Sequence, residues 1–567
     1  MILAIVLSAL VLFGWSALSD RFLPTANPPA TKTVEGKQVA VPNPGADPTA
    51  DAPRALRDRQ MVLREGPRVR IDTPAVSGSI NLTGARIDDL VLKRHTETIA
   101  RNSAPIRLLS PEGAAGAIYA QFGWSGEGLQ LPGNDTQWQS DGQLLAPGRP
   151  ITLSHSSGGG QTFRIRLSVD ANYMITVDQS VANAGAAPVA VKPFALIKHT
   201  GVPKEPDSWT VHVGPMGVFE GLANYDVNYP DLDEAGTTGR AFTSTGGWLG
   251  FTDKYWLTAL VPDQRARVSA SFRTIGDKTY LAAFTPVDQS VVGSGKMATT
   301  TTRLFAGAKE VSVLQAYERD LQIAQFDKAV DWGWFAWFER PIFWLLDWLY
   351  RFAGNFGVAI ILLTVFVRAL MFPIAQRQFG SMAAMRALQP KVKSLQERHK
   401  DDKQKLQQEM MELYKKEKVN PFAGCLPILI QIPIFYALYK VLILTVEMRH
   451  KPFVLWIKDL SAPDPLTPVN LFGLLDFTPP SFLALGVLPI LLGITMWLQF
   501  KLNPAQPDPV QQQIFAIMPW IFMFMMAPFA AGLQLYWTVS NILAIAQQKW
   551  LYSRYPALKN NPNTATT

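Results

Sequence analysis

The sequence predicts an α-helical polytopic membrane protein with six transmembrane helices and one large all-β sandwich domain outside the bilayer. Three observations carry that expectation. Hydrophobic residues make up 48% of the 567-residue chain and charged residues only 17%, and the apolar ones concentrate at the extreme N-terminus and after Trp332. Between these regions, short alternating runs are broken by Gly, Pro, Asn and Asp clusters, the pattern of strands and turns. The 48 residues after Phe372 carry eleven Lys/Arg against six Asp/Glu, which marks a cytoplasmic loop by the positive-inside rule.

The formal charge of +8 is compatible with nucleic acid, but the basic residues cluster beside apolar spans, where anionic lipid headgroups and topology account for them. No nucleic-acid partner is expected. Cys425 is the only cysteine, which excludes an intramolecular disulfide and a cysteine-based zinc cluster, and no metal or cofactor is expected.

Taken in order, residues 1–20 hold the apolar run Ile2 to Leu18, 17 residues long and without a basic n-region. This reads as an uncleaved signal anchor, with cleavage as the alternative. Residues 21–60, rich in Pro, Ala and Thr, read as an extended tether. Residues 61–320 are the β domain. Phe163, Ile165, Leu167 and Val169 alternate with polar residues, and the alternation resumes at Tyr173, Ile175 and Val177 after a polar turn, which predicts a hairpin. His95, His155, His199 and His212 have no carboxylate at informative spacing and read as structural or surface histidines.

Residues 321–353 crowd Trp332, Trp334, Phe335, Trp337, Phe338, Phe343, Trp344, Trp348 and Tyr350 into one segment. Such density predicts an interfacial helix, the alternative being a helix packed under the β domain. Residues 354–550 hold the other spans, at Phe356 to Phe372, Phe422 to Val446, Phe482 to Phe500, Ile514 to Phe529 and Leu533 to Ala546. The basic segment 375–419 between the first two of them carries Met382, Met385, Leu388, Leu406, Met410 and Leu413 at helical spacing and predicts an antiparallel helical hairpin. With that hairpin in the cytoplasm, both termini lie inside, the β domain lies outside, and residues 551–567 form a cytoplasmic tail. Spans of 14 to 17 residues cover about 21 to 26 Å, less than the roughly 30 Å hydrocarbon core, so local bilayer thinning is expected.

Arg368 lies inside the second span with nothing acidic in its helix, and an intramembrane charge is a functional-site hypothesis by default. Its competing reading is snorkelling to the inner headgroups, as Lys440 does toward the outer ones from the third span. Polar pairs recur at four-residue steps, which place both members on one helix face: Thr364 with Arg368, Thr495 with Gln499, Tyr536 with Ser540, Trp537 with Asn541. Gln431 stands between two prolines in the third span. If these faces converge they line a wet groove, and otherwise they serve as interhelical hydrogen bonds.

The stretch Asn420-Pro421-Phe422-Ala423-Gly424-Cys425-Leu426-Pro427, continuing through Gln431-Ile432-Pro433-Ile434-Phe435, resembles the third transmembrane segment of the bacterial YidC membrane protein insertases. Phe453 to Leu460, Gly532 to Asn541, Gly113 to Trp124 and Trp248 to Pro262 are similar to the same family. The resemblance implies a five-helix insertase core whose hydrophilic groove opens to the cytoplasm and lipid, with Arg368 as its positive residue. It also implies a periplasmic β-supersandwich and a hairpin that assists client capture, to which Met382, Met385 and Met410 would contribute.

The function that follows is non-enzymatic insertion and chaperoning of nascent membrane proteins in a Gram-negative inner membrane. The implied partners are nascent clients, membrane lipids, the Sec translocon with its accessory subunits, and the ribosome and signal recognition particle pathway. The tail, with only Lys549, Arg554 and Lys559, departs from relatives with a strongly basic ribosome-binding tail. Two rivals predict other behaviour: a transporter using Arg368 as an anion site, which needs coupling carboxylates that the later spans lack, and a membrane-anchored sugar-binding or sugar-modifying enzyme.

Overall fold

The computed structural model describes residues 32–34, 37–39, 56–203, 210–276, 278–399, 402–417, 426–475, 485–502 and 509–554. The expected N-terminal anchor, most of the tether and the tail after 554 lie outside the described residues. Two large sheets form the β domain, one of nine strands and one of eleven. The predicted hairpin is present: Gln161–Val169 pairs antiparallel with Met174–Asn183, with Leu167 opposite Val177. Its turn is fixed by Asp170, whose Oδ1 accepts from the backbone N of Asn172 at 2.9 Å and of Met174 at 3.1 Å. Alternation of buried and partly exposed residues, from Ile175 to Asn183 and throughout Val189–Thr200, shows why the period of two is readable.

The inner faces of the two sheets meet through side chains such as Trp124 against Phe163 and Phe251 against Phe272, while Trp248 and Phe305, on the other face of the nine-stranded sheet, are buried against Phe326. His199 sits in this core against Phe251 and Tyr229, and burial lowers its pKa to about 4, so it stays neutral. His212 is buried as well, its Nε2 2.9 Å from the Pro215 carbonyl. Two short helices, α1 (Arg59–Leu63) and α2 (Tyr229–Ala235), complete the domain, and Tyr229 of α2 packs against Tyr280. Helix α3 (Val311–Asp320) closes one end: Tyr317 donates to Asp170 Oδ2 at 2.5 Å and packs edge-on against Phe305.

From there the chain turns into α4 (Ala336–Ala353), amphipathic along its length. Phe343, Leu346 and Leu349 are buried against the neighbouring helices, while Trp334, Trp337, Trp348 and Phe352 are exposed on the outer side. The aromatic crowding thus divides between side chains packed against the helices Phe356–Arg398 and Leu426–Leu444 and an exposed apolar face.

The rest is helical. α5 (Phe356–Arg398) is followed by α6 (Lys403–Lys416), α7 (Leu426–Leu444), α8 (Val487–Leu502), α9 (Pro509–Met526) and α10 (Ala531–Arg554). The expected span and the first hairpin helix are one continuous 43-residue helix, because Pro373 and Pro390 are accommodated within α5 without ending it. The hairpin of α5 and α6 is closed by Lys391 to Glu417 at 2.7 Å and His399 to Glu409 at 3.1 Å. Among the described residues, Phe356–Gln378 is long and apolar enough to cross a membrane, and Ile430–Leu444, Val487–Leu502 and Gln513–Met526 are shorter apolar helices.

Candidate functional site

The helical half has a domain side, where α5 begins beneath the sheets, and a hairpin side. Helix α10 lies against α5, α7 and α8, so one helix gathers the polar residues of three others. Close approach is possible because Gly532, at the start of α10, leaves room for Leu442, Ile360 and the Leu460 carbonyl, each of which an added Cβ would meet at 3.1 to 3.2 Å. The turn from α9 into α10 is held by Gln534, fully buried, whose Nε2 donates to the carbonyls of Met526 at 2.9 Å and Phe529 at 2.8 Å. Nothing in the spacing of Gln534 marks this role, since all its partners are backbone.

Arg368 is half-buried, three turns into α5, and its Nε and Nη2 donate to Ser540 Oγ at 3.0 and 2.6 Å. One helical turn from Ser540, the buried Tyr536 hydroxyl accepts from Gln431 Nε2 at 2.6 Å. Asn541, also buried, donates from Nδ2 to Thr495 Oγ1 at 3.2 Å. Four helices therefore place Arg368, Ser540, Tyr536, Gln431, Asn541 and Thr495 in one polar seam among apolar surroundings. Among the described residues no carboxylate forms an ion pair with Arg368; its partner is a neutral hydroxyl.

Other expected site residues are placed differently. Thr364 is fully buried and donates to the Ile360 carbonyl of its own helix at 2.7 Å. Trp537 sits between Phe435 and Phe522, each with ring centroids 4.6 Å away, and so belongs to the apolar packing of α7, α9 and α10. Gln499 is half-buried one turn beyond Thr495. Met382 and Met385 lie in the hairpin part of α5, and Met410 is half-buried in α6.

At the domain side the seam is closed by the loop between α7 and α8. Asp464 is buried and accepts from Leu488 N at 2.7 Å, Trp456 Nε1 at 2.9 Å and Leu466 N at 3.1 Å, so it caps the start of α8 and orders the loop together. The carbonyls of Ala462 and Leu460 accept from Ala531 N and Gly532 N at 2.8 and 2.9 Å and do the same for α10. Carbonyl and carboxylate acceptors thus satisfy helix N-termini that would otherwise be unpaired at the closed end.

Lys440, expected to snorkel outward, instead is 3% exposed. Its Nζ donates to the carbonyls of Thr210 at 2.5 Å and Asp331 at 3.0 Å, joining α7 to the β domain and to the segment before α4. The fully buried Glu339 of α4 shares this pocket; burial pushes its carboxyl up to about 7, with the Lys440 charge opposing and the Asp331 charge reinforcing the shift. Burial wins over snorkelling because folded protein, not water, covers the outer end of α7.

Residues 68–345 match the family model of the YidC periplasmic domain and residues 348–559 that of the 60Kd inner membrane protein. The chain is 51% identical to the membrane protein insertase YidC of Zymomonas mobilis, over 98% of this chain and 95% of that one. It is 47% identical to its counterpart in Methylorubrum extorquens, over 97% and 94% of the two chains. Among solved structures, an active YidC insertase with its first transmembrane domain resolved aligns over 86% of this chain and 95% of that chain, at 18% identity and a TM-score of 0.37.

Proposed function

We infer, from the premise that the chain belongs to the YidC family of membrane protein insertases, that the seam around Arg368 is where a client's polar segment is held during insertion. The family consists of inner membrane proteins with a periplasmic domain, and the chain's function is membrane protein insertion. On that basis the β domain lies in the periplasm, the domain side of the helices faces out, and the hairpin faces the cytoplasm. Both termini are then cytoplasmic and the chain crosses the membrane several times.

The observation that carries the reading is the pairing of Arg368 with a neutral hydroxyl, inside a seam closed at the periplasmic end. A guanidinium has five donors, and a single serine oxygen leaves most of that capacity to water at rest and to a client's acidic or carbonyl groups in transit. The exposed apolar flanks of α7 and α9, including Ile432, Ile521 and Phe524, give the client's hydrophobic segment a path into lipid. Partitioning at about 0.8 kcal/mol per buried CH₂ supplies the drive.

Short spans assist. The 16 residues of α8 rise about 24 Å against a hydrocarbon core of roughly 30 Å, so the bilayer thins around them and the polar segment's crossing shortens. We further place the hairpin, with Met382, Met385 and Met410, at first client contact, and the Sec translocon as the partner for larger clients. The ribosome and signal recognition particle pathway would deliver the nascent chain.

Insertion of a short two-span client into proteoliposomes tests this. Replacing Arg368 with Ala is expected to lower insertion of a client with an acidic translocated segment on the order of tenfold, the loss of one charge-assisted contact, while Arg368→Lys retains most of it. Full insertion by the Ala variant would remove Arg368 from the mechanism.

A further inference from the structure

The loop that caps α8 beside the polar seam continues into a short segment with an unusual surface. From Pro465 to Leu475 the sequence PLTPVNLFGLL contains no charge. Leu471, Phe472 and Leu474 are 52%, 53% and 83% exposed, and Val469 and Leu475 are also exposed. Five large apolar side chains out of seven consecutive residues therefore face outward, far denser than the scattered apolar residues of an ordinary soluble surface.

The backbone presents them deliberately. The segment Pro468–Gly473 is a distorted 3₁₀ turn in which Leu471 (φ 50°, ψ 47°) and Phe472 (φ 59°, ψ 34°) are both left-handed, a conformation unfavourable for bulky side chains. The turn is nonetheless closed on itself: Phe472 N donates to the Thr467 carbonyl at 3.0 Å and Leu475 N to the Asn470 carbonyl at 3.1 Å. Its stem is rigid, because Val487 N, at the start of α8, donates to the Leu466 carbonyl at 3.0 Å beside the Asp464 cap.

That stem sets the depth. It joins the turn to the periplasmic end of α8, whose own outward face is apolar at Leu491, Ile494 and Leu498. The turn's apolar surface thus continues the lipid-facing surface of a spanning helix. The β domain docks elsewhere on this loop, where Arg449 donates to the carbonyls of Thr96 and Glu97 and Glu447 accepts from Val311 N. Trp348 and Phe352 of α4, a helix packed on α5 and α7, are exposed apolar residues as well.

We propose that the 469–475 turn is a membrane anchor whose apolar side chains are buried among the acyl chains of the outer leaflet, with Leu471, Phe472 and Leu474 as its deepest residues. The occupant of this surface is lipid. Together with α4 the turn fixes the outer leaflet at the level of the groove's closed end. The outer leaflet is then held down to the short α8, and thinning has a structural cause on the periplasmic side.

The test uses the full chain with Cys425→Ala, carrying Phe472→Cys or Leu474→Cys labelled with an environment-sensitive NBD dye, in proteoliposomes of phosphatidylethanolamine and phosphatidylglycerol. Val291→Cys, on the exposed surface of the β domain, is the aqueous control. Client insertion by the labelled proteins shows that they are folded. At both turn positions NBD emission is expected to be blue-shifted from the control, and nitroxide-labelled lipid is expected to quench it about twofold more than aqueous iodide does. Emission and iodide quenching equal to Val291→Cys at both positions would place the turn in water and overturn the proposal. A blue shift without lipid quenching would also overturn it, because protein, such as a second copy or a client, would then be the cover.

Discussion

Two cations in the helical half stand in opposite situations. Lys440 of α7 is buried at the periplasmic end, where its ammonium is consumed by two carbonyls at 2.5 and 3.0 Å and accompanied by Glu339. Arg368 of α5 is half-buried in the seam and meets one hydroxyl. A charge sealed in the fold, with two of its three N–H donors on the protein's own backbone, is a fastening; one with three of five donors in reserve is available to a ligand. The contrast teaches that charge in a membrane helix marks function only after its partners have been counted.

The strongest test of this contrast is stability. Replacing Lys440 with Met leaves the Thr210 and Asp331 carbonyls without their shared donor, a loss on the order of 3 kcal/mol. Arg368→Met is expected to cost under about 1 kcal/mol, since its partner is a neutral hydroxyl in a polar seam. Denaturation of the detergent-solubilised full chain, followed for both variants, distinguishes them. Equal losses would erase the distinction between fastening and binding charge.

A second test follows the proton beside Lys440. Glu339 has an ordinary value of 4.5 and is pushed up to about 7 in the folded chain. Between these values the unfolded chain releases the proton while the folded chain keeps it, so the unfolded state binds fewer protons and stability falls as pH rises through this window. Above about 7 both states are ionised and the decline levels off. Glu447, buried where α7 meets α3 and likewise pushed up to about 7, adds a decline of the same sign. Glu339→Gln is therefore expected to flatten the pH 4.5 to 7 slope in part, read as the pH dependence of the denaturation midpoint. An unchanged slope would mean that Glu339 does not hold a proton in the folded pocket.

What sequence could and could not supply follows from the same residues. The strand period of Gln161–Val169 and Met174–Asn183 was legible because each strand buries every second residue. The four-residue step from Tyr536 to Ser540 put both on one face of α10, and both do point into the seam. The step from Trp537 to Asn541 has the same spacing, yet Trp537 packs on Phe435 and Phe522, since a large ring reaches past the polar line into apolar neighbours. The fate of Lys440 was invisible because its partners are backbone carbonyls, which leave no signature in a sequence. Asp464 and Gln534, which cap and clamp mostly through main-chain groups, leave no signature for the same reason.

The smallest expected effect bears most directly on Arg368. Ser540→Ala removes the hydroxyl that accepts from Nε and Nη2 while leaving the guanidinium and the rest of the seam in place. If Ser540 only occupies Arg368 at rest, the variant costs about 1 kcal/mol of stability or less, because water reaches a half-buried guanidinium and replaces the lost acceptor. Insertion of an acidic client should then stay within about twofold of wild type, since the client displaces water as readily as it displaces serine. If Ser540 instead aims the guanidinium, insertion falls toward the level of Arg368→Ala, and Ser540→Thr, which keeps the hydroxyl, restores it. The liposome assay that compares these variants decides whether the arginine works by its charge alone or by a direction that α10 imposes.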